Sequence, residues 1–455
     1  MAGPVNRRAC PSPRRRSLIA TAAAVLVVAA QPAASRADWG TYHGNGARTG
    51  YAKEGPRPED VHRKWTRPVD GAVYAEPLVV RRHVLVATQN NSLYSFDAVH
   101  GKRRWRRHLG APVPVATIDA PLAPGCGNID PTGITSTPVV DRSAGLVFAV
   151  ALLDHPVRHV LVAVDLKTGR VRWKRSIDPP GADPRIHQQR SALALSHHRV
   201  YVAYGGLAGD CGDYHGWVLG ARTSGHGKLL TWRATVHKQA GIWAPSGPAV
   251  GADGSLYIAT GNSDSSTFDY GDSVIRLTPK LQTVDYFAPT ENGQLNKSDQ
   301  DLGSVGPMLL PNSRAFIVGK SGIGYLLDPM HLGGIGHPIY QQDLQHDSYG
   351  GLAFARGLVY VPFRQAGTRA LRLDGDRFSI AWRGPIFRSG PPIVAGSAVW
   401  TIDLDAGILY ALDRLTGAVR FHTTIGEPAQ FSTPTAANRR VYVASAKRIL
   451  AFGDR

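Results

Sequence analysis

Cysteine is scarce, with three in 455 residues. None lies in a Cys-x-x-Cys-His motif, which excludes a covalently attached c-type haem. The 17 histidines show no zinc-ligand spacing, and no Gly-x-Ser-x-Gly marks a hydrolase nucleophile. Long amphipathic helical patterns are missing as well. The one extended apolar run, Leu18 to Ala30, is too short to cross a bilayer, so no transmembrane helix is expected in the mature chain. The formal charge is +18, yet no nucleic-acid motif accompanies the arginines, so no nucleic-acid partner is expected.

What is abundant is turn chemistry. Fifty glycines and 32 prolines punctuate short Val/Ile/Leu/Tyr runs, while hydrophobic residues at 43% and charged ones at 19% describe an ordinary globular chain. That pattern reads as all-β.

The N-terminus reads as a targeting segment. Arg7, Arg8, Arg14, Arg15 and Arg16 precede the apolar run, and Ser35-Arg36-Ala37 offers a small-x-small cleavage site. Arg15-Arg16-Ser17-Leu18-Ile19 fits a twin-arginine signal loosely, and an ordinary Sec signal with an arginine-rich start fits equally. The expected division is 1–37 signal peptide, 38–61 lead-in and 62–455 folded domain, secreted or otherwise extracytoplasmic. Removing 1–37 takes away six arginines and no acids, so the charge falls from +18 to +12. The remaining basic residues look scattered through the sequence, and the expected consequence is attraction to an anionic cell surface. Only Cys126 and Cys211 survive cleavage, each in a Gly-rich loop, and two cysteines in an exported chain most simply form one disulfide.

After a lone strand at His62–Thr66 comes a repeating module. A Ser/Thr/Gly-x-Pro start opens a buried strand, a Val-Tyr-Val strand follows, then a Leu-Tyr-Ala-Leu-Asp strand, a Thr-Gly turn and an outer strand ending in Trp. Tyr410-Ala411-Leu412-Asp413 with Thr416-Gly417 is a clear copy, and Val162-Ala163-Val164-Asp165 with Thr168-Gly169 and Trp173 is another. Eight copies can be followed, and the last stops before its outer strand. Four-stranded units at this spacing predict an eight-bladed β-propeller, with the strand at Trp65 completing the eighth blade. Trp105, Trp173, Trp232 and Trp382 are expected to pack between blades rather than to take part in chemistry.

The unit Leu-Tyr-Ala-Leu-Asp-x-x-Thr-Gly-x-x-x-Trp resembles the repeat of the pyrroloquinoline quinone (PQQ) propellers, a family that holds quinoprotein alcohol dehydrogenases and cofactor-free scaffolds of the BamB type. The resemblance implies PQQ and Ca²⁺ in the channel mouth. Asp301, in Gln300-Asp301-Leu302-Gly303-Ser304, resembles the catalytic base and a metal neighbour. Lys320 resembles the basic partner of the quinone, Trp243 the stacking ring and Asn262 a Ca²⁺ ligand. A further acidic ligand would be Asp210 or Asp213, and Arg190, at the start of a blade, points toward the same mouth. The adjacent-cysteine pair of many such dehydrogenases is absent, since the first blade reads Thr88-Gln89-Asn90-Asn91.

Two functions follow as expectations. One is oxidation of an alcohol or sugar hydroxyl with PQQ and Ca²⁺, electrons leaving to a separate acceptor. The other is a non-catalytic propeller that binds a protein or a cell-wall polymer.

Overall fold

The computed structural model describes residues 1–5 and 38–455 apart from Pro121, Ala123 and Val236. The expected apolar export segment and its cleavage site fall within 6–37, outside the described residues. Among the described residues no helix is long and apolar enough to cross a membrane.

Eight antiparallel sheets follow one another along the chain, and each expected module is one of them. Blade 1 comprises Leu78–Val80, His83–Thr88, Ser92–Asp97 and Arg103–His108, from the innermost strand outward. The ring closes as expected. The strand Val61–Pro68 pairs antiparallel with Arg448–Asp454 and becomes the outer strand of blade 8. Closure joins the two ends of the propeller and leaves the last blade without an unfinished edge. Blade 4 gains a fifth, parallel strand that the repeat does not announce, Gly334–Ile335 from blade 5, paired with Thr283–Ala288.

One contact recurs between blades. Trp65, Trp105, Trp173 and Trp382 lie face-on against Gly101, Gly169, Gly225 and Gly417 of the following blade, so closely that a Cβ there would enter the ring. These glycines also have φ between 65° and 82°, a region glycine enters at little cost, so the glycine of the turn is required twice over. Each indole N–H donates to a carbonyl of the next blade, as Trp105 does to Leu166 O at 3.0 Å. The arginine two residues beyond repeats the bond: Arg67, Arg107 and Arg175 donate to Gly101 O, Gly169 O and Gly225 O.

The lead-in turns out to be structural. Its backbone crosses beneath the channel and bonds inner strands in turn: Trp39 pairs with Val79, Gly40 O accepts from Val140 N, Gly46 O from Val250 N, Ala47 O from Leu309 N, Thr49 O from Phe354 N and Gly50 O from Val394 N. Arg48 and Tyr42 reach the remaining two blades, through Leu193 O and the Thr433 hydroxyl. Residues 38–51, rich in glycine and polar side chains, thus bond the inner strands of six blades and the residues just ahead of the other two, and bury Trp39, Tyr42, His43 and Arg48. Glu76, at the head of blade 1, accepts from Trp39 Nε1 at 2.8 Å and His43 N at 2.7 Å.

The arginines that look scattered in sequence are gathered by the fold. The outer strands of the adjacent blades 8, 1 and 2 (Val61–Pro68, Arg103–His108 and Val171–Ser176) carry ten Lys or Arg and no acid. The outer strands of blades 4 and 5, Thr283–Ala288 and Tyr340–Asp343, carry no Lys or Arg.

Candidate functional site

The loops that enter inner strands, and those that join second to third strands, converge at the end of the channel away from the lead-in. They enclose a cavity of about 360 Å³ lined by Arg190, Asp210, Trp243, Asp299, Asp301 and Lys320, among others. That is within the range that holds small molecules.

Asp301 enters just before blade 5, on a loop that three glycines allow to pack. A Cβ at Gly261 would strike the Asp301 carboxylate, and one at Gly303 or Gly319 would strike the backbone of Thr260 or of Asp301 and Leu302. Asn262 N donates to Asp301 Oδ1 at 2.7 Å, and Lys320 N donates to Asp301 O at 2.9 Å. Leu302 N donates to Asp272 Oδ1 at 2.8 Å, so the buried Asp272 carboxyl fixes the loop from below. Burial and the nearby Asp301 charge push the Asp272 carboxyl well up.

Lys320 Nζ lies 2.6 Å from Asp301 Oδ2 and 2.8 Å from Asp299 Oδ1. The Asp301 side chain is 8% exposed, so burial pushes its carboxyl up, with Lys320 offsetting part of the rise. At Lys320 burial acts downward, but Asp301 and Asp299 outweigh it and the ammonium is held above its usual range. Two carboxylates thus share one ammonium at these distances. The ammonium also sits 5.6 Å from the centre of the Trp243 ring, over its face. Trp243 in turn faces Tyr349 and Phe431, with ring centres 6.3 and 6.4 Å away.

Asp210 and Asp213, alternatives in the sequence, are separated by the fold. Asp210 lines the cavity and accepts from Tyr214 Oη at 2.5 Å. Burial pushes its carboxyl up against that bond, and the charges of Asp301 and Asp299 add to the rise. The Asp213 side chain is 80% exposed, lies 3.7 Å from His215 Nε2 and does not line the cavity. Arg190 does line it, but its guanidinium is committed to Thr135 O at 2.9 Å and Gln430 O at 3.0 Å, with the Tyr74 and Phe431 rings 5.6 Å away on either account. It braces the mouth more than it offers free donors.

Cys126 and Cys211 form a disulfide across 85 residues. It ties the loop before blade 2 to the loop of blade 3 that carries Asp210. Changing both cysteines to serine is expected to cost about 2–4 kcal/mol, read as a lower denaturant midpoint than that of the oxidised protein. An unchanged midpoint would show that the tie adds nothing.

Asp299, Asp272 and Tyr214 were not singled out in the sequence. The doublet Asp299-Gln300-Asp301 was a usable signal for the first, since alternate residues of an extended loop can face one side. Nothing local marks Asp272, whose partner Leu302 is 30 residues away, whereas Tyr214 bonds Asp210 only four residues before it.

Would these residues hold the implied group? The Asn262 Oδ1 is buried without a hydrogen-bond partner, and the donors around it are oxygens, which suits a hard cation. Trp243 offers a flat face beside a cation. Among the described residues, however, no three His, Cys, Asp or Glu side chains converge in metal-binding geometry. The protein would therefore supply Asn262 and one or two carboxylates, leaving other positions to the cofactor or water. The quinone fits the residues present, and the cation fits as an ion shared with it.

The family model described as outer membrane protein assembly factor BamB matches residues 58–270. A polyvinylalcohol dehydrogenase from Pseudomonas sp. is 25% identical over 336 residues, covering 63% of this chain and 49% of the relative. The chain thus spans about half the length of the curated relative it matches. A quinohemoprotein alcohol dehydrogenase from Pseudomonas putida superposes with a TM-score of 0.71 at 13% identity, over 92% of this chain and 80% of that one. BamB from Moraxella catarrhalis superposes at 0.59 and 13% identity, over 86% and 99%. The structural likenesses show the fold. Together with the family-model match, they bear out the resemblance to the PQQ-repeat propellers.

Proposed function

We propose that the protein is a quinoprotein-type dehydrogenase of the extracytoplasmic space, with 1–37 as its export signal and the lead-in and propeller as one folded unit. It oxidises an alcohol or sugar hydroxyl and passes electrons to a separate acceptor. The observation that carries this reading is the Asp301–Lys320 pair, its ammonium over the face of Trp243, in a ligand-sized cavity beside an unpartnered Asn262 oxygen. The dehydrogenase relatives and the disulfide, which suits an oxidising compartment, support it.

Bound PQQ would supply the hydride acceptor, with Ca²⁺ polarising its carbonyl. Asn262 Oδ1, with Asp210 or Asp301, would hold the ion. Trp243 would offer its ring face to a planar group. Lys320 would stabilise negative charge developing on a bound quinone. Asp301, ionised and shielded from water, takes the proton of the substrate hydroxyl. Asp272 and Asn262 N keep that carboxylate in place. The test is dye-linked turnover on a panel of alcohols and sugars after reconstitution with PQQ and Ca²⁺. Turnover that needs both additions supports the reading, and none on any substrate rejects it.

The basic flank of blades 8, 1 and 2 favours a second reading, a propeller that docks on an anionic cell-wall polymer. That reading expects adsorption that falls steeply with salt and is lost when arginines such as Arg63, Arg103 and Arg172 become glutamine. Adsorption that ignores salt rejects it.

A further inference from the structure

The mouth has a second chamber. A cleft of about 110 Å³ is lined by Tyr349, Arg364, Arg388, Ser389, Gln430 and Phe431, with Leu404 behind. Tyr349, Arg364, Gln430 and Phe431 line the main cavity too, so the two spaces share a wall.

The chemistry of the cleft is opposite to that of the Asp301 pole. No acid lines it. Arg388 Nη2 meets Asp405 Oδ1 at 2.7 Å, but the Asp405 side chain is 67% exposed, so that pair faces water and is weak. Arg388 Nε, by contrast, is buried with no hydrogen-bond partner. Arg364 lies 3.8 Å from Asp347, beyond hydrogen-bond range, and over the Tyr349 ring at 5.8 Å. With two arginines on its wall and no acid, the cleft is positive, and an incoming carboxylate would meet the Arg388 and Arg364 guanidinium groups with charge-assisted bonds. Tyr349 and Phe431 stack with centres 6.1 Å apart and planes within 18°, giving flat apolar faces between the two chambers.

We propose that this cleft is a subsite for the carboxylate of an acidic hydroxylated substrate, a hexuronate or a uronate-bearing glycan. Its hydroxyl-bearing carbons pass over the Tyr349 and Phe431 faces toward Asp301. The substrate assignment rests on the dehydrogenase reading above, but carboxylate binding does not need the cofactor. The inference therefore deepens that reading and can fail separately from it.

The experiment is calorimetric titration of the full-length mature protein, without PQQ or metal, using glucuronate and glucose as probes. Glucuronate is expected to bind and glucose not. Arg388→Gln is expected to weaken glucuronate at least about tenfold. Arg388→Lys keeps the charge but loses the Nε–H, and recovers only part of the affinity. Arg364→Gln gives an independent second variant should Arg388→Gln fold poorly, which circular dichroism reports. Equal binding of glucose and glucuronate overturns the proposal, as does no glucuronate binding at millimolar concentration or binding untouched by both variants. A parallel PQQ titration tells the source of the carboxylate. If Arg388→Gln weakens PQQ and spares glucuronate, the cleft serves the cofactor and the substrate assignment is wrong. If PQQ never binds but glucuronate does, the subsite stands and the dehydrogenase reading falls.

Discussion

Asp301→Asn is expected to lower dye-linked alcohol oxidation by about 10²–10⁴-fold, the contribution of a positioned proton acceptor, with PQQ affinity changed only a few-fold. The amide keeps an oxygen for Asn262 N, which donates to Asp301 Oδ1 at 2.7 Å, so the loop need not move. What is lost is the negative charge and its basicity. The pH profile carries the same claim. Burial holds the Asp301 carboxyl above its ordinary value, and Lys320 acts in the opposite sense. The base is active only when ionised, so kcat/KM should rise with pH along a limb displaced upward from that of an ordinary carboxylate. Removing the ammonium in Lys320→Met takes away the lowering influence and should move the limb to still higher pH. Lys320→Arg, which keeps the charge, should leave it close to wild type. Steady-state rates from pH 4 to 9 decide this, and a limb that stays put in Lys320→Met contradicts the pairing as the source of the control.

Arg48→Met should be the most destabilising single change outside the catalytic pole, at about 3–5 kcal/mol. Arg48 is 2% exposed and donates to Thr41 Oγ1 at 2.7 Å, Tyr42 O at 3.0 Å, Leu193 O at 3.1 Å and, from two nitrogens, Pro248 O at 2.9 and 3.1 Å. Burial depresses the guanidinium to about 10, with Glu76 opposing that shift. Methionine fills much of the volume but leaves those acceptors dry and unpaired, and it leaves the Glu76 carboxyl without its nearby cation. The lead-in would lose its central anchor to blades 3 and 4. Urea titration followed by far-UV circular dichroism reads the effect. A midpoint equal to wild type would show that the lead-in is a passenger rather than the floor of the channel.

The propeller was legible because its signals are local and repeated. A glycine turn four residues ahead of an outer aromatic recurs at Gly101, Gly169 and Gly417, and the ring of each Trp needs the bare face of the next blade's glycine, so sequence and packing enforce one another. The closing strand was legible for the opposite reason, as a β-rich segment with no local partner. The lead-in was not legible. Its glycines and polar residues satisfy inner-strand groups that lie up to 344 residues away in the chain, from Gly50 to Val394, and no periodicity records such pairings. At the site, Asp301, Lys320, Trp243, Asn262 and Asp210 were visible as residues, and the fold brings all of them to one mouth. The separation of Asp210 from Asp213 was not visible, since it depends on the turn at Cys211 and its tie to Cys126. Nor was the basic flank, because its ten Lys and Arg are spread over three strands separated by long stretches of chain and are gathered only when those strands become the outer edges of adjacent blades.

On the proposed reading the mouth binds a quinone against Trp243 and Lys320. Its most direct test is titration of the mature protein with PQQ in the presence of Ca²⁺, following tryptophan fluorescence. Saturable quenching at micromolar PQQ is expected, weakened in Trp243→Leu and in Lys320→Met and unaffected by Asp213→Asn. Absence of quenching, or quenching that both variants leave intact, would contradict it.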